Sequence, residues 1–134
     1  MISHIHHINF LVEDLEQSIV RYEALFGRDA FETEALNQRA VKTARTKLGE
    51  TWFILVQPTD NDSIPAQHLK KHGEGFFLLS LGTDDLDHAK TQLETLLDQP
   101  FSTPERSGLE NWRVIDIRPE LFLNTQLQLT QEKR

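Results

Sequence analysis

Apolar positions along this chain recur with two different periods, and each change of period marks a new element. Ile5, Ile8, Phe10 and Val12 predict a first strand over residues 5–12, apolar enough to be covered on both faces. From Leu15 the spacing becomes helical, through Ile19, Tyr22, Leu25 and Phe26. Asp14 is placed to cap that helix, with Gln17 three residues on as in a capping box, and Gly27 is placed as its left-handed C-terminal residue. Residues 38–47 alternate and predict a strand with one polar face. Leu48-Gly49-Glu50 is a turn, and residues 51–57 predict the next strand, stopped by Pro58. A polar loop over 59–63 leads to a short helix with Pro65 near its first turn. Gly73 and Gly75 end it, and a strand opens over 76–81. A helix over 86–97, a loop punctuated by Pro100, Pro104 and Gly108, and strands over 112–117 and 125–130 complete the pattern.

This pattern contains the same opening twice. Residues 7–26 and 78–97 align without a gap at an offset of 71 residues. Each copy has an apolar run, an acidic pair before leucine (Glu13-Asp14-Leu15, Asp84-Asp85-Leu86) and then helical spacing. A repeat at fixed offset means one supersecondary unit used twice. The expected order is β-α-β-β-β in each copy. Two units of about 65 residues would each be marginal alone, so one domain of two modules, about 1–70 and 71–134, is expected.

Composition narrows the function. The chain carries 14 Lys and Arg against 21 Asp and Glu, a net charge of −7. With no basic run, nucleic acid is not an expected partner. The absence of cysteine removes disulfides, thiolate nucleophiles and Cys-based zinc sites, and suits a reducing compartment. No leader-like start and no run near the roughly 20 apolar residues of a membrane span is present, so a cytoplasmic protein without a membrane partner is expected.

The repeat, with the segments IHHINFLVEDLEQSIVRYEALFG, LGETWFILVQPTDNDSIPAQHLKKHGEG and LQLTQ, resembles the vicinal oxygen chelate superfamily: glyoxalase I, bleomycin-resistance proteins and extradiol dioxygenases. Within it the resemblance is strongest to methylmalonyl-CoA epimerases. It implies an α+β fold in which paired βαβββ modules form a cupped, eight-stranded mixed sheet with helices on its convex face. It also implies a divalent metal held by one residue from each of four strands, usually His, Glu or Gln, His and Glu. Carried onto this chain, those positions are His7, Ile54, Leu78 and Gln128. Two are aliphatic and a third is a neutral amide, a poor set for a zinc or harder divalent ion, so no metal and no other cofactor is expected. No carboxylate takes the place that would move a proton in lyase or isomerase chemistry.

Strand alternation then predicts the remaining ligand-binding positions. With His7 goes Asn9; with Ile54, Trp52; with Leu78, Phe76 and Ser80; with Gln128, Gln126. The set is apolar with a few amide, hydroxyl and imidazole groups, the usual character of a small-molecule pocket. Alternatively, these side chains simply fill the cup, or His7 is a core histidine bonded to Gln128 or to backbone. His4 and His6 share a face and read as edge or solvent positions, and Arg39, Lys42, Arg45 and Lys47 as a solvated strand face. Three functions stay open. One is a metal-free binder of a small organic or acyl-thioester ligand. Another is a metal-dependent lyase or isomerase of the lactoylglutathione lyase or methylmalonyl-CoA epimerase type. The third is an interaction module with a filled cavity. A homodimer joined through sheet edges, as relatives often form, is also left open.

Overall fold

The computed structural model describes residues 1–132. Eight strands form one mixed sheet: β1 (Ile2–Leu11), β2 (Glu32–Leu36), β3 (Val41–Leu48), β4 (Thr51–Pro58), β5 (Gly75–Thr83), β6 (Arg106–Ser107), β7 (Arg113–Ile117) and β8 (Gln126–Gln131), in the order β2-β3-β4-β1-β5-β8-β7-β6. Three α-helices accompany them: α1 (Leu15–Phe26), α2 (Ile64–His72) and α3 (Leu86–Leu96). None is long and apolar enough to cross a membrane, among the described residues. The chain resolves into two compact units, residues 8–77 and residues 1–7 with 78–134.

In the 8–77 unit, Asp14 caps α1 as expected, accepting from the Gln17 N–H at 3.1 Å. A second cap comes from far along the chain: the Leu15 N–H donates to Gln57 Oε1, at the end of β4, at 2.8 Å. Gly27 closes the helix onto the Glu23 carbonyl with φ 106° and ψ 160°. That is a positive φ suited to glycine, but not the left-handed helical well that was expected. Val12, Leu15, Ala44 and Leu55 form the core beneath α1, with Phe10, Ile19, Tyr22, Phe31 and Phe53 packed on it. Alternation therefore leaves Asn9, Thr43, Arg45, Trp52, Ile54 and Val56 on the opposite face of their strands. The strand expected over 38–47 starts only at Val41, after a 3-10 turn at residues 37–39 that Ala40 closes with φ 55°. Ahead of it lies β2, to which the sequence pattern assigned nothing. Its residues ETEAL are almost all exposed, so they carry no alternation to read.

In the other unit, Asp85 caps α3 through the His88 N–H at 3.0 Å, and the Leu86 N–H donates to Gln131 Oε1 at 2.7 Å. Gln57 and Gln131 thus do the same work at the two repeated helix starts, which makes Ile54 and Gln128, three residues before each, equivalent positions. Leu86, Ala89, Ile115, Ile117 and Leu129 are buried together, with Leu81, Leu93, Phe101 and Leu127 packed on them. Leu78, Ser80, Asp116, Gln128 and Thr130 alternate with these residues and so face away from α3.

An ion-pair network ties α3 to β7: Arg113 reaches Glu105 at 2.8 Å and Asp87 at 2.7 Å, and Lys90 reaches Glu105 at 3.3 Å. The Arg113 hydrogen bond holds the Glu105 carboxyl below its ordinary value, against an opposing desolvation and with help from Lys90. A depressed carboxyl pKa contributes stability above the ordinary glutamate value, and that contribution fades as pH falls through the lowered one. Arg113→Met should therefore cost more at pH 7 than at pH 3. With both groups near the surface, the Glu105 share should stay below about 1 kcal/mol. Urea titrations at the two pH values check this, and an equal cost at both would contradict it.

Candidate functional site

In the unit of residues 1–7 and 78–134, the face away from α3 carries a connected polar set. The parallel β5–β8 register pairs Leu78 with Gln126 and Ser80 with Gln128, and the antiparallel β7–β8 register pairs Asp116 with Gln128. The buried Ser80 and Thr130 hydroxyls share a hydrogen bond at 2.5 Å. Thr130 Oγ1 donates to Gln128 Oε1 at 3.4 Å, and Gln128 Nε2 donates to Asp116 Oδ1 at 3.2 Å. Asp116 also accepts from both terminal nitrogens of Arg106 and from Thr103 Oγ1 at 2.9 Å. A carboxylate thus stands on this face, beside the ligand positions and not at one of them. It comes from a neighbouring strand rather than from a ligand position, and an arginine neutralises it.

His7 belongs to the same unit and is 4 % exposed. Its ring stacks on Trp112 at 5.5 Å between centroids, and the His6 ring meets the same indole edge-on at 4.4 Å. His6 is only 1 % exposed, which overturns the solvent position expected for it. Both imidazoles lean onto Trp112, and this brings their Nδ1 atoms within 2.9 Å although neighbouring strand residues nominally point apart. His6 Nε2 bonds to Glu132 Oε1 at 2.8 Å. A carboxylate only accepts, so Nε2 carries the His6 proton. For neutral rings His6 Nδ1 then accepts from the Nδ1–H of His7; this tautomer is assigned from the network.

The 8–77 unit holds Asn9, Trp52, Ile54 and Phe76. Ile54 is buried, and Asn9 Oδ1 is shielded from solvent with no hydrogen-bond partner among the described residues. Phe76 is 48 % exposed and its ring touches Phe10, on the α1 side. Opposite Ile54 in register stands Arg45, and opposite Arg45 on β2 stands Glu32. Arg45 is 5 % exposed, so the solvated strand face expected for β3 fails at this residue while holding for Lys47. The guanidinium lies 4.2 Å from the Trp52 ring and its Nε is 3.2 Å from Glu32. A cleft of about 320 Å³ in this unit lies on the α1 side, by Tyr22, Arg21 and Glu74, and none of the nine candidate residues lines it.

The two units carry ion pairs of opposite polarity at equivalent places. Arg45 faces Ile54 and pairs with an acid on the edge strand, whereas Asp116 faces Gln128 and pairs with Arg106 on the edge strand. Sequence reasoning missed both pairs. The first was legible in principle, because a two-residue turn at Gly49-Glu50 fixes Arg45 opposite Ile54. The second was not, because the irregular stretch between β7 and β8 leaves their register undetermined by sequence.

A divalent metal does not fit the four positions that the resemblance makes ligands. Ile54 and Leu78 offer no donor atom, and both ends of the Gln128 amide are engaged with Asp116 and Thr130. One imidazole remains, too few for such an ion.

A family model described as the glyoxalase/bleomycin resistance protein/dioxygenase superfamily matches residues 6–115. Among solved structures, the chain is similar to methylmalonyl-CoA epimerase of Streptomyces coelicolor in complex with 2-nitronate-propionyl-CoA, with 26 % identity, all of both chains covered and a TM-score of 0.86. The epimerase of Mycobacterium tuberculosis has 22 % identity over 99 % of this chain and 90 % of that one, with a TM-score of 0.86. A hypothetical protein of Bacillus halodurans has 18 % identity over 97 % and 94 %, with a TM-score of 0.87. No curated protein sequence matches the chain.

Proposed function

We propose that this chain, which belongs to the glyoxalase/bleomycin resistance protein/dioxygenase superfamily, binds a small organic acid as its coenzyme A thioester without a divalent metal. The metal-free part rests on one observation: His7, Ile54, Leu78 and Gln128 supply one imidazole and one engaged amide. The ligand class is supported by the epimerase likeness, one such epimerase being in complex with methylmalonyl-CoA and another with 2-nitronate-propionyl-CoA. In the 8–77 unit the sheet face away from α1 is proposed to contact ligand, and in the other unit the face away from α3. Asn9 Oδ1, buried and without an acceptor's partner, is suited to a ligand donor. The two modules acting as one domain, a cytoplasmic location and a homodimer belong to the same proposal.

A second reading, an isomerase of the epimerase type, is favoured by the 26 % identity and by the Asp116 carboxylate beside Gln128. In that reading Asp116 must be released from Arg106 before it can take a proton. Metal analysis of protein purified without chelator tests the metal-free proposal. Zn, Co, Ni and Mn should each fall well below one per chain, whereas one ion per chain, lost on His7→Ala, would overturn it. Calorimetric titration with propionyl-CoA tests the ligand class, and absence of binding would end it.

A further inference from the structure

His68 and His72 stand four residues apart on α2 and so share one face of that helix. Their rings lie 4.5 Å apart between centroids, and the His68 ring also meets Phe77 on β5 at 4.9 Å. His68 is thus held by the strand beneath it, while His72 is exposed. Burial, and after it the His72 charge, hold the His68 pKa below its ordinary value, against a hydrogen bond to the Phe76 backbone. At neutral pH that ring is uncharged, the form in which imidazole ligates a metal.

The ring spacing selects among ions. An ion about 2.0–2.1 Å from one nitrogen of each ring lies about 3.2 Å from each ring centre. Centres 4.5 Å apart then subtend about 90° at the ion, the angle of a tetragonal site and narrower than the tetrahedral angle of zinc. Among the described residues no three His, Asp or Glu side chains stand together to hold a metal ion, so the pair lacks the three protein ligands a zinc site uses. Copper(II) prefers tetragonal nitrogen sites and binds imidazole most tightly of the divalent first-row ions. Lys70 donates to the Asn61 carbonyl at 3.1 Å, toward the other end of the helix. Lys71 is the cation that acts on His68 and opposes an incoming ion, whereas the last turn of a helix favours one.

We propose that His68 and His72 form a copper(II) site of two imidazoles on α2, with water in the remaining positions. Neither histidine is one of the four positions His7, Ile54, Leu78 and Gln128, so the metal-free reading of those four stands or falls separately.

Copper(II) chloride alone, added to the full chain in a weakly coordinating buffer, tests this through the broadening of amide resonances by the paramagnetic ion. Residues 68–73 should broaden first, at well below one equivalent. His72→Ala, at an exposed position, should weaken copper binding at α2 at least about tenfold, since loss even of a group that only supports a metal ligand costs that much. Lys71→Gln should tighten it several-fold. Broadening that starts around His4 and the amino terminus and spares α2 overturns the site, as does unchanged copper affinity at α2 in His72→Ala. If circular dichroism shows that His72→Ala loses helix, His72→Gln, which keeps a long side chain without an imidazole, decides by the same measurement, and unchanged affinity there overturns the site.

Discussion

Replacing Trp112 with alanine is expected to destabilise the chain by about 3–5 kcal/mol, the range for truncating a fully buried large aromatic side chain. Trp112 is 2 % exposed and contacts both His6 and His7. Its loss therefore removes apolar area and also uncovers two imidazoles whose shared hydrogen bond depends on leaning against the indole. Water would then compete for both Nδ1 atoms, so the cost has a polar part that a cavity alone would lack. Trp112→Phe keeps a ring in place and should lose less than half as much. Urea denaturation gives the two stabilities. Imidazole nitrogen shifts of His6 and His7 should move in Trp112→Ala and stay close to the parent in Trp112→Phe. A loss below about 1 kcal/mol in the alanine variant, or unmoved shifts, would show that the histidine pair is held by something other than the indole.

The sequence made the helices and the helix-facing sides of the strands legible because local chemistry determines them. Asp14 and Asp85 cap the helices they precede. Phe10, Val12, Phe53 and Leu55 pack beneath α1 on the alternation their strands display. Leu129, Ile115 and Ile117 do so beneath α3. Edge strands were not legible: β2 is exposed and β6 spans two residues, so neither buries enough to impose a pattern. The candidate site was legible only in part. Alternation sets Ile54, Leu78 and Gln128 apart from the helix-facing residues of their strands, but Phe76, expected beside Leu78, lies against Phe10 on the α1 side. It cannot tell which polar residues a distant aromatic will cover. His6 is buried by Trp112, more than 100 positions away. Arg45 lies beneath Trp52 across the hairpin, so a lysine- and arginine-rich strand that reads as solvated conceals one desolvated cation. Both side chains were caught by tertiary packing that no local period encodes.

Asp116 should act as the hub of its polar face, and the cost of removing it should depend on Gln128. Asp116→Leu takes the acceptor from the Gln128 amide, from Thr103 and from Arg106. The three donors lose unequally. Arg106 is 37 % exposed and can turn to water, whereas Gln128 is 4 % exposed and cannot. The expected cost is about 1–3 kcal/mol, below that of a fully buried ion pair because the arginine is rehydrated. Gln128→Leu alone should cost about 1 kcal/mol or less, since Asp116 keeps Arg106 and Thr103, and Thr130 keeps its bond to Ser80. In the double variant the buried amide no longer exists to be stranded. The double variant should therefore be more stable than the sum of the single losses predicts, by about 1 kcal/mol, the size expected for residues in direct contact. Urea denaturation of the four proteins closes the cycle. Additive losses within about 0.3 kcal/mol would mean the Gln128–Asp116 bond contributes nothing to the fold. Gln128 would then be free to turn its amide elsewhere, including toward a metal or a ligand.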